Sequence, residues 1–126
     1  MRLVILIASL LIFAEPGKSD ALDQPAPSCD SLGALAADPL RQSEPVRFED
    51  IQAMRLIMAC HAAIASAAKS QDQARYYLQL GRGQLRNGDS AGAISSFHKS
   101  ASRAYPAGYF ALGVVYLLGD DVEKND

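Results

Sequence analysis

Residues 76–89 read YYLQLGRGQLRNGD, and residues 109–118 read YFALGVVYLL. Each contains Tyr-x-x-Leu-Gly-x-x-x-Leu, first as Tyr77, Leu80, Gly81 and Leu85, then as Tyr109, Leu112, Gly113 and Leu117. Steps of three and four put these positions along one side of an α-helix. A glycine inside a helix costs about 1 kcal/mol relative to alanine. Its repetition at one register implies a place where a second helix crosses too closely for a side chain. The phrase predicts two helices of one kind, each packed on a neighbour.

The flanking residues set the ends of these helices. The first runs from about Gln71 to Asn87, and Asn87-Gly88 ends it in the left-handed conformation common at helix C-termini. Asp89-Ser90 caps a following helix, Ala91 to about Ala104, with Ala93, Ile94, Phe97 and Ala101 facing inward. Pro106 suits the first turn of another helix, Pro106 to Leu118, stopped by Gly119. Upstream, IQAMRLIMACHAAIASAA predicts a helix beginning near Phe48, with Glu49 and Asp50 in its first turn. Its inward face is predicted at Ile51, Met54, Ile57, Met58, Ala62 and Ile64. No stretch shows strand periodicity. The expected fold is all-α.

The N-terminal part divides in two. Residues 1–21 combine Arg2, an apolar run from Leu3 to Ala14, a break at Pro16-Gly17 and small residues before Ala21. That is the layout of a secretory signal peptide, and the run is shorter than the roughly 20 residues that span a bilayer. No stable membrane span is expected after its removal. Residues 22–47 hold four prolines and little periodicity, which predicts an irregular arm with a helical turn at Ser31 to Ala37. Residues 48–126 then form the helical domain.

Two cysteines, Cys29 and Cys60, remain after the leader, and in an oxidising compartment they are expected to pair and tie down the arm. Closing that loop stabilises by roughly 3 to 4 kcal/mol on the chain-entropy view. The net charge of −2 carries no nucleic-acid footprint. Residues 69–103 are basic, with Lys69, Arg75, Arg82, Arg86, Lys99 and Arg103 against Asp72 and Asp89. The segments on either side, 22–50 and 120–126, are acidic.

From Tyr77, the spacing Tyr-x-x-Leu80-Gly81 followed by Ala93-x-x-x-Phe97 resembles one helix-turn-helix unit of the tetratricopeptide scheme. The join that follows, KSASRAYPAGYFALG over residues 99–113, resembles the Sel1-like variant of these repeats. There a Lys-Ala-Ala-x-x-Gly-Tyr run leads into a helix carrying Leu-Gly. Two positions depart from the pattern: Ala104 and Asp121 stand where glycines are usual. Ile57-x-x-Cys60 with Ala63 is similar to the last helix of a degenerate leading unit. With the leader, this arrangement is similar to exported Sel1-like proteins of Gram-negative bacteria. The resemblance implies a short α-solenoid of antiparallel helix-turn-helix repeats, in the periplasm or secreted.

No residues suggest catalysis, a metal or a cofactor. His61 and Cys60 are helix neighbours that point about 100° apart, a poor ligand pair. Gly81-Arg82-Gly83 follows no strand and precedes no Lys-Ser/Thr, so it is no phosphate loop. In the repeat family the first helix of each unit lines the concave face. Carried onto this chain, that face holds Arg75, Leu78, Arg82, Leu85 and Arg86, continued by Ala107, Phe110, Val114 and Leu117. Arginine forks suit carboxylates, and leucines between them suit an apolar anchor. The resemblance therefore implies a non-catalytic module that binds another protein or an acidic peptide. The alternatives are self-association through the Val114 to Leu118 helix, or a regulatory accessory of an envelope enzyme or sensor kinase.

Overall fold

The computed structural model describes residues 26–118, so the expected leader and the acidic tail lie outside the described residues. The chain is all-α: α1 (Cys29–Gly33), α2 (Ala53–Ser66), α3 (Ser70–Arg86), α4 (Ser90–Ala101) and α5 (Pro106–Leu118), with a 3₁₀ turn at Phe48–Asp50. Among the described residues there is no strand.

Local chemistry explains the ends. The Asp89 carboxylate accepts from the Gly92 N–H at 2.9 Å and caps α4. Gly88, at φ 80°, releases the chain from α3. Ser28 and Ser31 exchange side-chain and backbone hydrogen bonds across the start of α1. The turn into α5 contains Ala104 at φ 57°, the left-handed conformation that glycine adopts more readily.

The centre of the packing is α3. It lies between α2 and α4, α5 packs on α4, and the arm crosses α3 from α1 onward. The connections 67–69, 87–89 and 102–105 are short, so consecutive helices run back along one another. Leu78 and Phe97 are almost wholly buried in a core that continues through Tyr105 to Leu112 and Val115. A second cluster joins Cys29, Ile51, Leu56, Cys60 and Leu80 under the arm.

Gly81 sits at a crossing as expected. A Cβ there would stand 2.6 Å from Phe97 Cδ1 and 3.0 Å from its Cζ, well inside van der Waals contact. Gly113 differs: a Cβ there would meet nothing within 4 Å. The two copies of the phrase are thus placed unequally. Leu80 and Leu112 are both buried, whereas Gly113, Tyr109 and Leu117 are exposed where Gly81 is buried and Tyr77 and Leu85 are half-buried.

Three further expectations are corrected. The helical turn in the arm covers Cys29–Gly33, not Ser31 to Ala37. Phe48–Asp50 form a 3₁₀ turn and α2 begins only at Ala53, because Ile51 and Gln52 keep non-helical backbone. The inward face of α2 is carried by Leu56 and Cys60, while Met54 and Met58 are 58% and 69% exposed and Ala62 is exposed too. The cause is the disulfide Cys29–Cys60, with Sγ–Sγ 2.09 Å and Cα–Cα 4.6 Å. It turns the Cys60 side of α2 toward the arm, and Leu56, one turn earlier, comes with it. Met54 is then rotated to the far side.

Candidate functional site

The arm lies on the α3 face where a bound peptide was expected. Arg75, 7% exposed, donates from Nε to Asp30 Oδ1 at 2.8 Å and from Nη2 to Asp30 Oδ2 at 3.2 Å. Its Nη1 donates to Asp72 Oδ1 at 2.8 Å. Burial opposes the charge on Arg75, but its hydrogen bonds to Asp30 and Asp72 outweigh it and hold the guanidinium above its ordinary pKa. One turn along, Gln79 Nε2 reaches the same Asp30 oxygen at 3.1 Å. The fork geometry of arginine is used in full here.

Arg82 is held differently. Its Nη1 donates to the carbonyls of Gly33 and Ala34 at 2.7 and 2.8 Å, and its Nη2 to the carbonyl of Val46 at 2.7 Å. It thereby supplies donors to arm carbonyls that no helix or strand satisfies. Burial pushes its pKa down to about 10, so it stays charged at neutral pH. On the same side, Tyr105 donates to the buried Asp38 carboxylate at 2.6 Å, and Asp38 also accepts from the Leu40 N–H at 2.9 Å. Burial, reinforced by that hydrogen bond, raises the Tyr105 pKa.

The anticipated concave face is therefore divided. Arg75 and Arg82 bind the chain's own arm, and Leu78 belongs to the core. Arg86 is exposed, 5.7 Å above the Phe48 ring, and its Nη2 donates to the Glu49 carbonyl at 3.4 Å. Leu117 projects from the protein at 86% exposure. Leu85, Phe110 and Val114 do come together, around an open groove of about 380 Å³. Leu35 and Phe48 from the arm, Phe97 beneath, and Leu118 at the end of α5 complete it.

This groove has the size and apolar lining of a binding cleft. Its chemistry is desolvation of an apolar group, with the buried Arg82 along one wall. Sequence reasoning missed Leu35, Phe48 and Leu118 as parts of it. The available signal was weak: Leu35 and Phe48 are large apolar residues in or beside a proline-rich stretch that has no period to assign their direction. Among the described residues, no three His, Cys, Asp or Glu side chains gather to hold a metal ion. His61 is exposed, and His98 Nε2 lies 3.2 Å from the Tyr116 hydroxyl at the surface.

Compared with known proteins, the chain matches no family model, and neither a curated protein nor a solved structure matches it. What is on hand is an all-α protein with one disulfide and an apolar groove beside a buried arginine. None of its described helices is long and apolar enough to cross a membrane.

Proposed function

We propose that the protein is an exported, non-catalytic binding module of the Sel1-like or tetratricopeptide-like type. Its partner is another protein, which lays the apolar side of a helix into the groove between the arm, α3 and α5. The groove itself carries this reading: Leu35 and Phe48 ahead of α2, Leu85 of α3, and Val114 and Leu118 of α5 leave an open apolar trough. Helical-hairpin repeats bury their stripes only against a neighbouring helix, and a groove of this kind accepts one. Arg86, exposed over the Phe48 ring at the edge of the groove, favours acidic side chains on the incoming helix. Export to the periplasm or beyond is supported by the leader-like residues 1–21 and by the Cys29–Cys60 disulfide.

The test is capture of partners from an envelope fraction by the chain and by Val114→Asp/Leu118→Asp. Leu118 is 66% exposed and Val114 half-buried, so the pair spares the core. The expected result is one partner retained by the chain and lost with the variant. Retention of the same partner by both would overturn the groove assignment. Arg82→Glu is a poor probe, since it would free the arm.

A further inference from the structure

We propose that the Arg41–Gln42 peptide bond is a processing site for an arginine-specific endoprotease, and that the cut chain persists as two pieces joined by Cys29–Cys60. None of residues 39–45 lines the groove, so this site stands apart from the partner-binding reading.

The first observation is that residues 39–45 stand away from the helices. A hollow of about 420 Å³ is lined by Pro39, Arg41, Gln42, Ser43 and Glu44, all from this one segment. A second gap, of about 180 Å³, lies between Leu40 and Gln42 of the loop and Asp72, Arg75 and Tyr105 of the helical body. The loop thus encloses space instead of burying side chains, and Leu40 is 37% exposed. From Gln42 to Glu44, no backbone N–H or carbonyl is hydrogen-bonded among the described residues. An exposed loop with unbonded backbone is where proteases enter a folded chain.

Both ends of the loop are held. Asp38, 1% exposed, accepts from the Tyr105 hydroxyl at 2.6 Å. At the other end Val46 donates to the Ala34 carbonyl at 2.9 Å and accepts from Arg82 at 2.7 Å. The stretch between these anchors can open without disturbing either core, so its opening is separate from global unfolding.

The other basic residues offer no such place. Arg55, Arg75, Arg82 and Lys99 lie inside helices, and Arg86 ends α3. Lys69 and Arg103 sit in short connections that cannot extend without unwinding packed helices. Arg47 follows the held Val46, and its Nε donates to Glu49 at 2.9 Å. Arg41 makes a single long contact, 3.5 Å from Nη1 to the Asp38 carbonyl. Its guanidinium is free to enter a protease pocket floored by a carboxylate.

Hydrolysis adds a water across the bond, leaving a carboxylate on Arg41 and an amino group on Gln42. Cys29 precedes the cut and Cys60 follows it, so the disulfide becomes the sole covalent join. The piece ending at Arg41 keeps its hold on Arg75 and Arg82 through Asp30, Gly33 and Ala34. Only in the cut chain can reduction detach that piece and bare the two arginines.

Brief trypsin treatment of the folded chain without its leader, read by mass, tests the site. The first new ends within residues 26–118 should be Arg41 and Gln42, appearing roughly tenfold ahead of any others. The product should be one molecule until reduced and denatured, and two pieces afterwards. Arg41→Gln should abolish the cut, leave the melting temperature unchanged and not divert cleavage to Arg47. A first cut at Arg47, Lys69 or any helix residue would overturn the proposal, as would equal cleavage of Arg41→Gln. Processing itself is read from the protein recovered from the cells that make it. Ends at Arg41 and Gln42 are expected there, and a wholly uncut chain would refute it.

Discussion

Arg75 grips Asp30 with two nitrogens, at 2.8 and 3.2 Å, across forty-five positions of sequence. The pair joins the first turn of the arm to the middle of the central helix. Together with the disulfide one residue away, it makes the arm a fixed part of the fold.

Arg75→Ala should destabilise the chain by about 3 kcal/mol, because it leaves the Asp30 carboxylate under the arm with Gln79 but without its cationic partner. Asp30→Asn should cost less, about 1 to 2 kcal/mol, since Arg75 keeps Asp72. Arg75→Lys should fail to restore the loss, as an ammonium cannot span both Asp30 oxygens. Urea unfolding of the three variants checks the order.

Removing the cross-link in Cys29→Ser/Cys60→Ser should cost roughly 3 to 4 kcal/mol by the chain-entropy estimate. The same variant should lose amide protection first in residues 30–50, where the arm is tethered, while α3 and α4 remain protected. Hydrogen exchange distinguishes this from global loosening.

Tyr105→Phe should cost about 1 to 3 kcal/mol by depriving buried Asp38 of a donor. The loss should depend on pH in a defined window. The folded state holds the Tyr105 proton more tightly than the unfolded state does, so its contribution is complete below the ordinary tyrosine pKa of 10.0. It declines as pH rises above that value and the unfolded tyrosine ionises. Stability differences between the two proteins, measured by denaturant at pH 7 and in alkaline buffer, should therefore shrink at the alkaline end.

Alanine should act oppositely at the two glycines of the repeated phrase. Gly81→Ala should destabilise by about 1 to 3 kcal/mol, because the methyl group meets the Phe97 ring and overpacks the crossing. Gly113→Ala meets nothing and should stabilise the fold by up to about 1 kcal/mol through helix propensity. Thermal melts read both effects.

Ala104→Gly should stabilise by about 1 kcal/mol, since φ 57° costs an L-residue that much and costs glycine little. Thermal or urea unfolding again suffices.

The sequence was legible where a residue's neighbours in the chain are also its neighbours in space. The start of α5 at Pro106, the Asp89 cap and the Gly88 stop follow from local backbone chemistry, and each stands within a residue or two of its expected place. The crossing at Gly81 was legible because a helix seldom keeps a glycine without cause, but the same reasoning placed one at Gly113, where a Cβ would meet nothing within 4 Å. The face of α2 was not, since Met54 and Met58 are as apolar as Leu56, and periodicity alone ranks them equally. Cys60 decided between them by bonding to Cys29.

What the residues alone determined is an all-α chain, the limits of α3 and α5, the start of α4 and the cross-link, because these depend on turns, caps and two thiols; α4 ends at Ala101 instead of near Ala104, and α2 starts later than its sequence suggests. Only the tertiary structure decided what the basic stripe of α3 is for. Arg75 and Arg82 look like a partner's landing site until an aperiodic, proline-bearing arm is seen folded onto them. That arm has no period from which its path could be read, and the carbonyls of Gly33 and Val46 take their side-chain donor from Arg82 only once it lies on α3.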